Sequence, residues 1–477
     1  MKTSRLPTWL LLGLLLHAST ALAAAPGPSV TAGQATALVG PTSDPLFLPT
    51  DVAVAPNGEV WVADGVNHQV ARFTADGRWV DPVRRVGDHA LSNPMGVDVS
   101  DDGRLWIADA SLGVVLVRTP DGALDRILEP PPELGPMEPT DVAVGDNGER
   151  AWVVDNDGHR LLVFDIGTGD AVAYGGHGQA LGQSDRPWLI TTDDRGNAYF
   201  SDVLNGRVQG VSPRLKPRAS LGAYGVELGE LYRPKGVATD DTEHVWVSDG
   251  DLGVVQVFNS SGSVVDVVRD AAGAVLRLDT PAGIAWHDET LYVVESTRNR
   301  VLRMPVTLVA GRRPPADTRP ILDNKPKDCT TCHLELMPML AQGLPTEIAQ
   351  VPPAHPDQPP ASLEKACFSC HDGSVEDSRR TVWLEHGHSA DVLPPEGMEI
   401  DPGIPLVDGK LACRSCHTAH SQGGSGRSCA EAVFLRVGEQ PMELCLACHG
   451  DMNERRAPVT REEQGDDSPA RPSGHLP

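Results

Sequence analysis

Four stretches of the chain place two thiols and an imidazole in one short pattern: Cys329-Thr330-Thr331-Cys332-His333, Cys367-Phe368-Ser369-Cys370-His371, Cys413-Arg414-Ser415-Cys416-His417 and Cys445-Leu446-Ala447-Cys448-His449. Two thiols separated by two residues can each add to one of the two vinyl groups of a haem, and the adjacent His then reaches the iron as an axial ligand. Paired Cys-x-x-Cys sequences also build structural zinc sites, and paired Cys can close disulfides. Neither of those chemistries calls for His directly after every pair. With 16 His in 477 residues, four such coincidences have a chance probability of about one in a million if positions are independent. The expectation is four covalent c-type haems, with His333, His371, His417 and His449 as proximal iron ligands.

The second axial position decides whether a haem iron carries electrons or acts on a bound ligand. Outside the motifs the C-terminal part contains His355, His386, His388, His420 and His475. His420 stands three residues after His417 in Cys-His-Thr-Ala-His, on the same short turn as an attached haem, and is the strongest distal candidate. His386 and His388 flank one glycine and could serve two neighbouring haems. His355 lies in the Pro-rich stretch 352–360, where a solvated loop residue is an equal reading, and His475 sits in a polar tail and is set aside. Met337, Met339, Met398, Met442 and Met452 are alternatives, but Met is usually packing. Enough His is present to favour bis-His ligation, which gives lower potentials than His/Met. Cys429, outside the four motifs, is read as a free buried thiol.

The run Leu411-Ala412-Cys413 to His420, Leu435, Leu444-Cys445 to His449, and Cys370-His371-Asp372-Gly373 resemble the doubled Cys-x-x-Cys-His family of multihaem cytochromes. The resemblance covers roughly residues 328–452 and implies closely spaced haems that pass electrons. The spare His that follows the family's third motif matches His420. This stretch is short for four haems and rich in Pro and Gly, so the haems must form much of its core. Short helices, such as one around Leu334 to Leu340, are the most it should contain, and without haem it should not fold.

All nine Cys lie between Cys329 and Cys448, so the first 328 residues have a different job. At 477 residues two domains are the natural prior. Six versions of one unit, with a period of about 46 residues, fill the first part. Each begins at a proline: Pro49, Pro94, Pro139, Pro187, Pro234 and Pro281. Each second strand ends in an acid 14 to 16 residues later: Asp64, Asp109, Asp155, Asp202, Asp249 and Glu295. Three residues before each acid stands Trp61, Trp106, Trp152, Tyr199, Trp246 or Tyr292. The strands are rich in Val, and Asn57-Gly58, Asp102-Gly103, Asn147-Gly148 and Arg195-Gly196 mark hairpin turns between the first two. One such unit cannot bury both faces, but six arranged radially can, so an all-β six-bladed propeller is expected, with the aromatics packed between blades.

The stretch Asp64-Gly65-Val66-Asn67-His68-Gln69-Val70 gives these units a resemblance to NHL repeats, over roughly residues 46–304. The resemblance implies a six-bladed propeller used for binding, with the strand-end acid shaping a turn. It departs at Glu295, and at Asp109 and Asp249, where Leu-Gly replaces Asn-His. The last unit lacks an outer strand, and residues 30–40 are expected to supply it and close the ring. His68 and His159 share one offset from their acids, which argues for a turn role over a metal site. His244 is a further turn histidine. The strand-end acids are expected to accept from turn amides more than to bind a cation together.

Lys2 and Arg5, the apolar run Trp9 to Leu16 and Ala21-Leu22-Ala23 form the three-part pattern of a secretory signal peptide. The run is shorter than the roughly 20 residues of a spanning helix. A cleaved, exported chain without a membrane segment is expected, periplasmic or extracellular in a bacterium. A formal charge of −25 disfavours nucleic acid. The expected organisation is a signal peptide over 1–25, the propeller over 26–308, a Pro-rich linker over 309–327, the tetrahaem cytochrome domain over 328–452 and a polar tail over 453–477. The favoured function is electron transfer with redox protein partners, the propeller serving as a docking or assembly module whose face could also bind a partner. The alternatives are an oxidoreductase acting on a small molecule at an open haem or the propeller mouth, and a structural or adhesive extracellular protein.

Overall fold

The computed structural model describes residues 29–145 and 148–309, together with 372–375, 377, 379, 393, 394, 400 and 406 from the C-terminal part. The first two ranges fold into six antiparallel blade sheets, one per sequence repeat, and one small two-stranded sheet, Arg85–Val86 with His89–Ala90. Blades I to V each contain four strands in simple up-and-down order, as in blade III with Pro139–Gly145, Arg150–Asp155, Arg160–Asp165 and Ala171–Gly175. Blade VI takes three strands from its own repeat, Pro281–His287, Thr290–Glu295 and Arg300–Leu308. Its outer edge comes from the other end of the chain. Val30–Ala32 pairs antiparallel with residues 306–308, and Thr36–Leu38 with residues 301–303. This pairing covers the edge that Arg300–Leu308 would otherwise expose and gives blade VI an outer strand like those of the other blades.

The inner strands touch around the ring, and the cores lie between the blades. Trp61 packs with Val97, Leu105 and Ile107 of blade II, and Trp106 with Val142, Ala151 and Val153 of blade III. Trp152 packs with Ile190, Ala198 and Phe200 of blade IV, and Tyr199 with Val237, Val245 and Val247 of blade V. Trp246 packs with Ile284, Leu291 and Val293 of blade VI, and Tyr292 returns to Val52, Val60 and Val62 of blade I. Each aromatic is at most 5% exposed, so the repeated position serves one repeated need, filling the wedge between neighbouring sheets.

Polar groups also cross the blade boundaries near the axis. Asp51 Oδ2 accepts from Val97 N at 3.0 Å, Asp98 Oδ2 from Val144 N at 2.8 Å, and Asp141 Oδ2 from Ile190 N at 2.7 Å. Thr50 and Thr140 hydroxyls donate to Met95 O and Trp188 O in the same direction. Burial pushes Asp51 up to about 7 and Asp98 to about 6. Burial also raises Asp141, and the Asp51 carboxylate adds to that shift.

Candidate functional site

The upper face of the propeller carries the turn after each second strand and the loops that connect one blade to the next. At each of these turns the strand-end acid is buried and accepts hydrogen bonds from local backbone or side-chain groups. Asp249 accepts from the amides of Tyr232, Arg233, Asp251 and Leu252, and Asp202 from Asp185 N, Asn205, Arg207 and Gln209. The acids therefore act as turn organisers. Burial raises Asp64 to about 6, against the hydrogen bonds from Asn67, Gln69 and Phe47 N.

The residue four after each acid is in the left-handed region in all six blades: His68, Gly113, His159, Gly206, Gly253 and Asn299. Gly takes that conformation freely, and Asn and His are among the side chains that tolerate it. Where the side chain is not hydrogen it reaches the next blade's entry loop. His68 Nδ1 meets Ser92 O, His159 Nδ1 accepts from Arg186 N at 3.1 Å, and Asn299 Oδ1 accepts from Leu48 N at 2.8 Å. The shared offset of His68 and His159 thus has a backbone cause. Replacing His68 with Gly, as in Gly113, is expected to cost less than about 1 kcal/mol, whereas Val should cost more, about 1–2 kcal/mol, because a β-branched residue resists positive φ. Thermal melting of the two variants checks the order.

The centre of this face is filled by a turn from far along the chain. Lys235, at the start of the inner strand of blade V and 1% exposed, places Nζ 3.0 Å from Asp372 Oδ2 and bonds Ser374 Oγ. The same Nζ lies 4.9 Å from the Trp188 ring centroid of blade IV. Asn156 of blade III donates to Ser374 O at 3.0 Å and to Pro187 O at 2.7 Å. Asn93 of blade II donates to Asp377 Oδ2 at 3.0 Å. Arg379 holds Asp377 with both Nε and Nη2, at 2.9 and 2.8 Å, and donates through Nη1 to Leu48 O at 3.2 Å. Its Nη2 also meets Met95 Sδ. Val375 packs on the apolar cluster that includes Met95, Trp188, Leu189 and Ala282. Because the partners come from blades I, II, III and V, the turn sits on the propeller axis.

Ser374 and Arg379 are fully buried here, and the four charges balance as two pairs. Burial alone would raise Asp377, but the Arg379 guanidinium and the Asn93 amide hold it at about 2. Burial alone would lower Arg379, and Asp377, then Asp372 and Asp64, raise it instead. A bidentate pair with its remaining donors satisfied is the arrangement in which a buried charge is tolerated. Gly373 has φ +98°, and a Cβ there would meet the Met95 methyl at 2.4 Å. The central mouth therefore presents seated protein groups where a catalytic propeller would present converging ligands.

Residues 48–73 match the NHL repeat. No curated protein matches the chain. Among solved structures, a streptogramin B lyase is similar at TM-score 0.45 and 12% identity, over 58% of this chain and 98% of that one. A virginiamycin B lyase from Staphylococcus aureus gives TM-score 0.43 and 14% identity, over 58% and 99%. Hydrazine synthase from Kuenenia stuttgartiensis gives TM-score 0.39 and 12% identity, over 56% and 96%. Identities this low transfer no activity.

The expected haem-attachment residues Cys329, Cys332, Cys367, Cys370, Cys413, Cys416, Cys445 and Cys448 lie outside the described residues, as do the proximal candidates His333, His371, His417 and His449. So do the distal candidates His355, His386, His388 and His420, together with Cys429, the signal segment 1–25, linker residues 310–327 and the tail 453–477. Among the described residues no helix is long and apolar enough to cross a membrane. His244, the third turn histidine of the sequence, bonds Asp240 Oδ2 at 3.1 Å and Thr242, away from the mouth and within its own hairpin. The central turn was not legible as a site. Its only local signal is Asp372-Gly373-Ser374, directly after the second motif.

Proposed function

We propose that this chain is an exported tetrahaem c-type cytochrome that transfers electrons, and that the propeller is the module on which its haem-bearing part is docked. The haem reading rests on the donor set. Two thiols at i and i+3 with His at i+4 suit covalent attachment plus one axial bond, and this set recurs four times. Bound haem would supply one-electron iron chemistry. The chain's own residues would fix each porphyrin covalently, provide its axial imidazoles and keep water from much of its surface.

The docking reading is carried by one observation: the turn seated in the propeller mouth starts at Asp372, the residue after His371 of the second motif. His371 and Asp372 are joined by one peptide bond, so a haem held at the second motif would be attached one residue from a group seated in the mouth. The occupied mouth also speaks for a holding role of the propeller over a mouth-centred reaction.

The test is spectroscopic. Protein made with c-type maturation machinery is expected to carry four haems per chain by pyridine haemochrome assay, all low-spin in the oxidised electron paramagnetic resonance spectrum. His420→Ala should convert one of them to high-spin. Zinc in place of haem would overturn the proposal, and a stoichiometric high-spin haem that binds nitrite or carbon monoxide would turn it toward an enzyme.

A further inference from the structure

Blades III and IV meet beside the mouth, and there the upper face carries a second group of residues with coordination chemistry. His159 stands on the left-handed turn of blade III. His177 and Asp185 stand at the two ends of the loop that runs from the outer strand Ala171–Gly175 to the inner strand Pro187–Thr192. One donor atom from each of the three lies within 4.8 Å of the other two. His159 Nδ1 is 3.5 Å from Asp185 Oδ1, and His177 Nε2 is 3.6 Å from Asp185 Oδ2. The two imidazoles are 4.6 Å apart between centroids, at 61°.

Separations of 3.5 and 3.6 Å are too long for good hydrogen bonds. They are close to the edge of a tetrahedron whose centre-to-ligand bonds are about 2.0–2.1 Å, which is about 3.3–3.4 Å. The scaffold around the donors is fixed. Ser184, buried next to Asp185, donates from its hydroxyl to His159 O at 2.8 Å, and Asp185 N donates to Asp202 Oδ1 at 2.7 Å. Gly178 N and Ser184 N close the loop onto Ser184 O and Gly176 O. The His177 side chain is 67% exposed, so one side of the group opens to solvent.

The neighbouring blade boundary provides an internal control. Forty-seven residues further on, the loop between blades IV and V repeats the same backbone bonds, Leu231 N to Ala223 O and Gly225 N to Leu231 O, and the same isolated bridge, Tyr224 to Leu231. There Tyr224 stands in the place of His177, Tyr232 in that of Asp185 and Gly206 in that of His159. The two tyrosines pack with centroids 5.3 Å apart. The loop's backbone therefore forms without imidazoles or a carboxylate, and, since His159 has its place from the turn, it is the convergence of His177 and Asp185 on it that calls for another cause.

We propose that His159, His177 and Asp185 form a mononuclear site for a divalent transition metal of zinc's chemistry, with three protein ligands and a fourth position open to solvent. Two imidazoles and one carboxylate are a donor set that zinc takes, and an open position is the mark of sites that hold water or an exogenous ligand. Partial burial holds His159 in the neutral form that can give a lone pair to a metal, with Arg186 and His177 adding to it against the pull of Asp185. Arg186 is the nearest competing cation, and its guanidinium is engaged by Asn156 Oδ1 at 3.0 Å and by Asp157. The metal would take the Nδ1 lone pair that now accepts from Arg186 N, at the loss of that one hydrogen bond.

The test uses the haem-loaded full chain, in which attached Cys no longer offer free thiolates. After chelation and dialysis, titration with zinc ions followed by calorimetry and elemental analysis is expected to give one site per chain. His177→Tyr and His159→Gly copy the next blade boundary and so should preserve the fold; each is expected to weaken zinc binding at least tenfold. Melting curves and circular dichroism of both variants should match the parent. Parent protein that takes up no zinc at millimolar concentration, or variants that bind as tightly as the parent, would overturn the proposal. Binding lost only together with the native melting transition would overturn it too, because the loss would then follow from unfolding.

Discussion

Arg379→Glu is expected to expel residues 372–379 from the mouth of the propeller while leaving the propeller itself folded. The substitution sets a second carboxylate against Asp377 in a site where the native guanidinium is fully buried and makes two bonds to that residue. Breaking a buried pair in this way costs about 3–5 kcal/mol. Among the described residues the inner strands make their ladder bonds within their own blades, so the propeller keeps its sheets when the turn leaves. Hydrogen exchange on the haem-loaded chain should show loss of protection at the amides of Ser374 and Arg379, which bond Asp372 and Asp377, with protection retained in strands such as Trp152 to Asp155. Lys235→Met provides the reciprocal change from the propeller side, since it leaves Asp372 without its cation. Unchanged protection in both variants would mean that neither ion pair is needed to seat the turn, and that Val375 packing and the Asn93 and Asn156 hydrogen bonds suffice.

Raising the pH from about 4 to about 7 is expected to destabilise the propeller. Burial is the largest cause of the raised values at Asp51, Asp98 and Asp141, and amide donors such as Val97, Val144 and Ile190 oppose it only in part. Asp51 moves from 3.8 to about 7 and Asp98 from 3.8 to about 6. A carboxyl whose folded value lies above its unfolded value keeps a proton that the unfolded chain gives up. Its contribution is fully present below the unfolded value and is lost as pH rises to the folded one, at about 1.4 kcal/mol for each pH unit that separates the two. The loss from Asp51 and Asp98 together should be on the order of several kcal/mol by pH 7, and Asp141 adds to it in the same direction. Asp64, raised to about 6, and Asp202, also raised, act in the same direction. Asp377 and Asp240, both held at about 2, titrate below this window. Urea midpoints measured between pH 4.5 and 8 should fall, and Asp51→Asn should show a shallower fall than the parent. Midpoints that climb through this interval, or a variant as steep as the parent, would remove the inner-strand acids as the cause.

The propeller was legible because its signals repeat. Proline, aromatic and acid recur at a nearly constant spacing, and each landmark has a local physical cause: strand entry, the wedge between blades, and a turn acceptor. The ring-closing strand was legible for a related reason, since residues 30–40 look like an outer strand missing from the last unit. Other features depend on partners that no local pattern names. Asp51-Val52-Ala53-Val54 and Asp141-Val142-Ala143-Val144 read as strands with one polar end, and only the closed ring shows that those carboxyls face the next blade's amides. The hairpin glycines stop after blade IV, where Glu243 takes the positive φ that Gly196 has one repeat earlier, so the turn persists without its usual residue. The turn at 372–379 is a contact across more than a hundred residues of sequence. The zinc candidates were half visible: the His159 offset stood out, but His177 and Asp185 gain meaning only when set in register against Tyr224 and Tyr232.

Ring closure and the seated turn are two contacts between distant parts of one chain. The chain leaves blade VI after residue 309, whose amide donates to Ser29 O, and returns to the propeller at Asp372. Residues 310–371, with the first two Cys-x-x-Cys-His motifs, separate these two contacts in sequence, and the last two motifs follow Arg379. The entropic cost of bringing two points of one chain together grows only slowly with their separation, about 0.6 kcal/mol for each doubling. Because turn and mouth belong to one chain, their meeting is an intramolecular event that needs no second molecule. A turn of modest intrinsic affinity therefore stays seated, and a competing external peptide would have to outbid a ligand that never diffuses away.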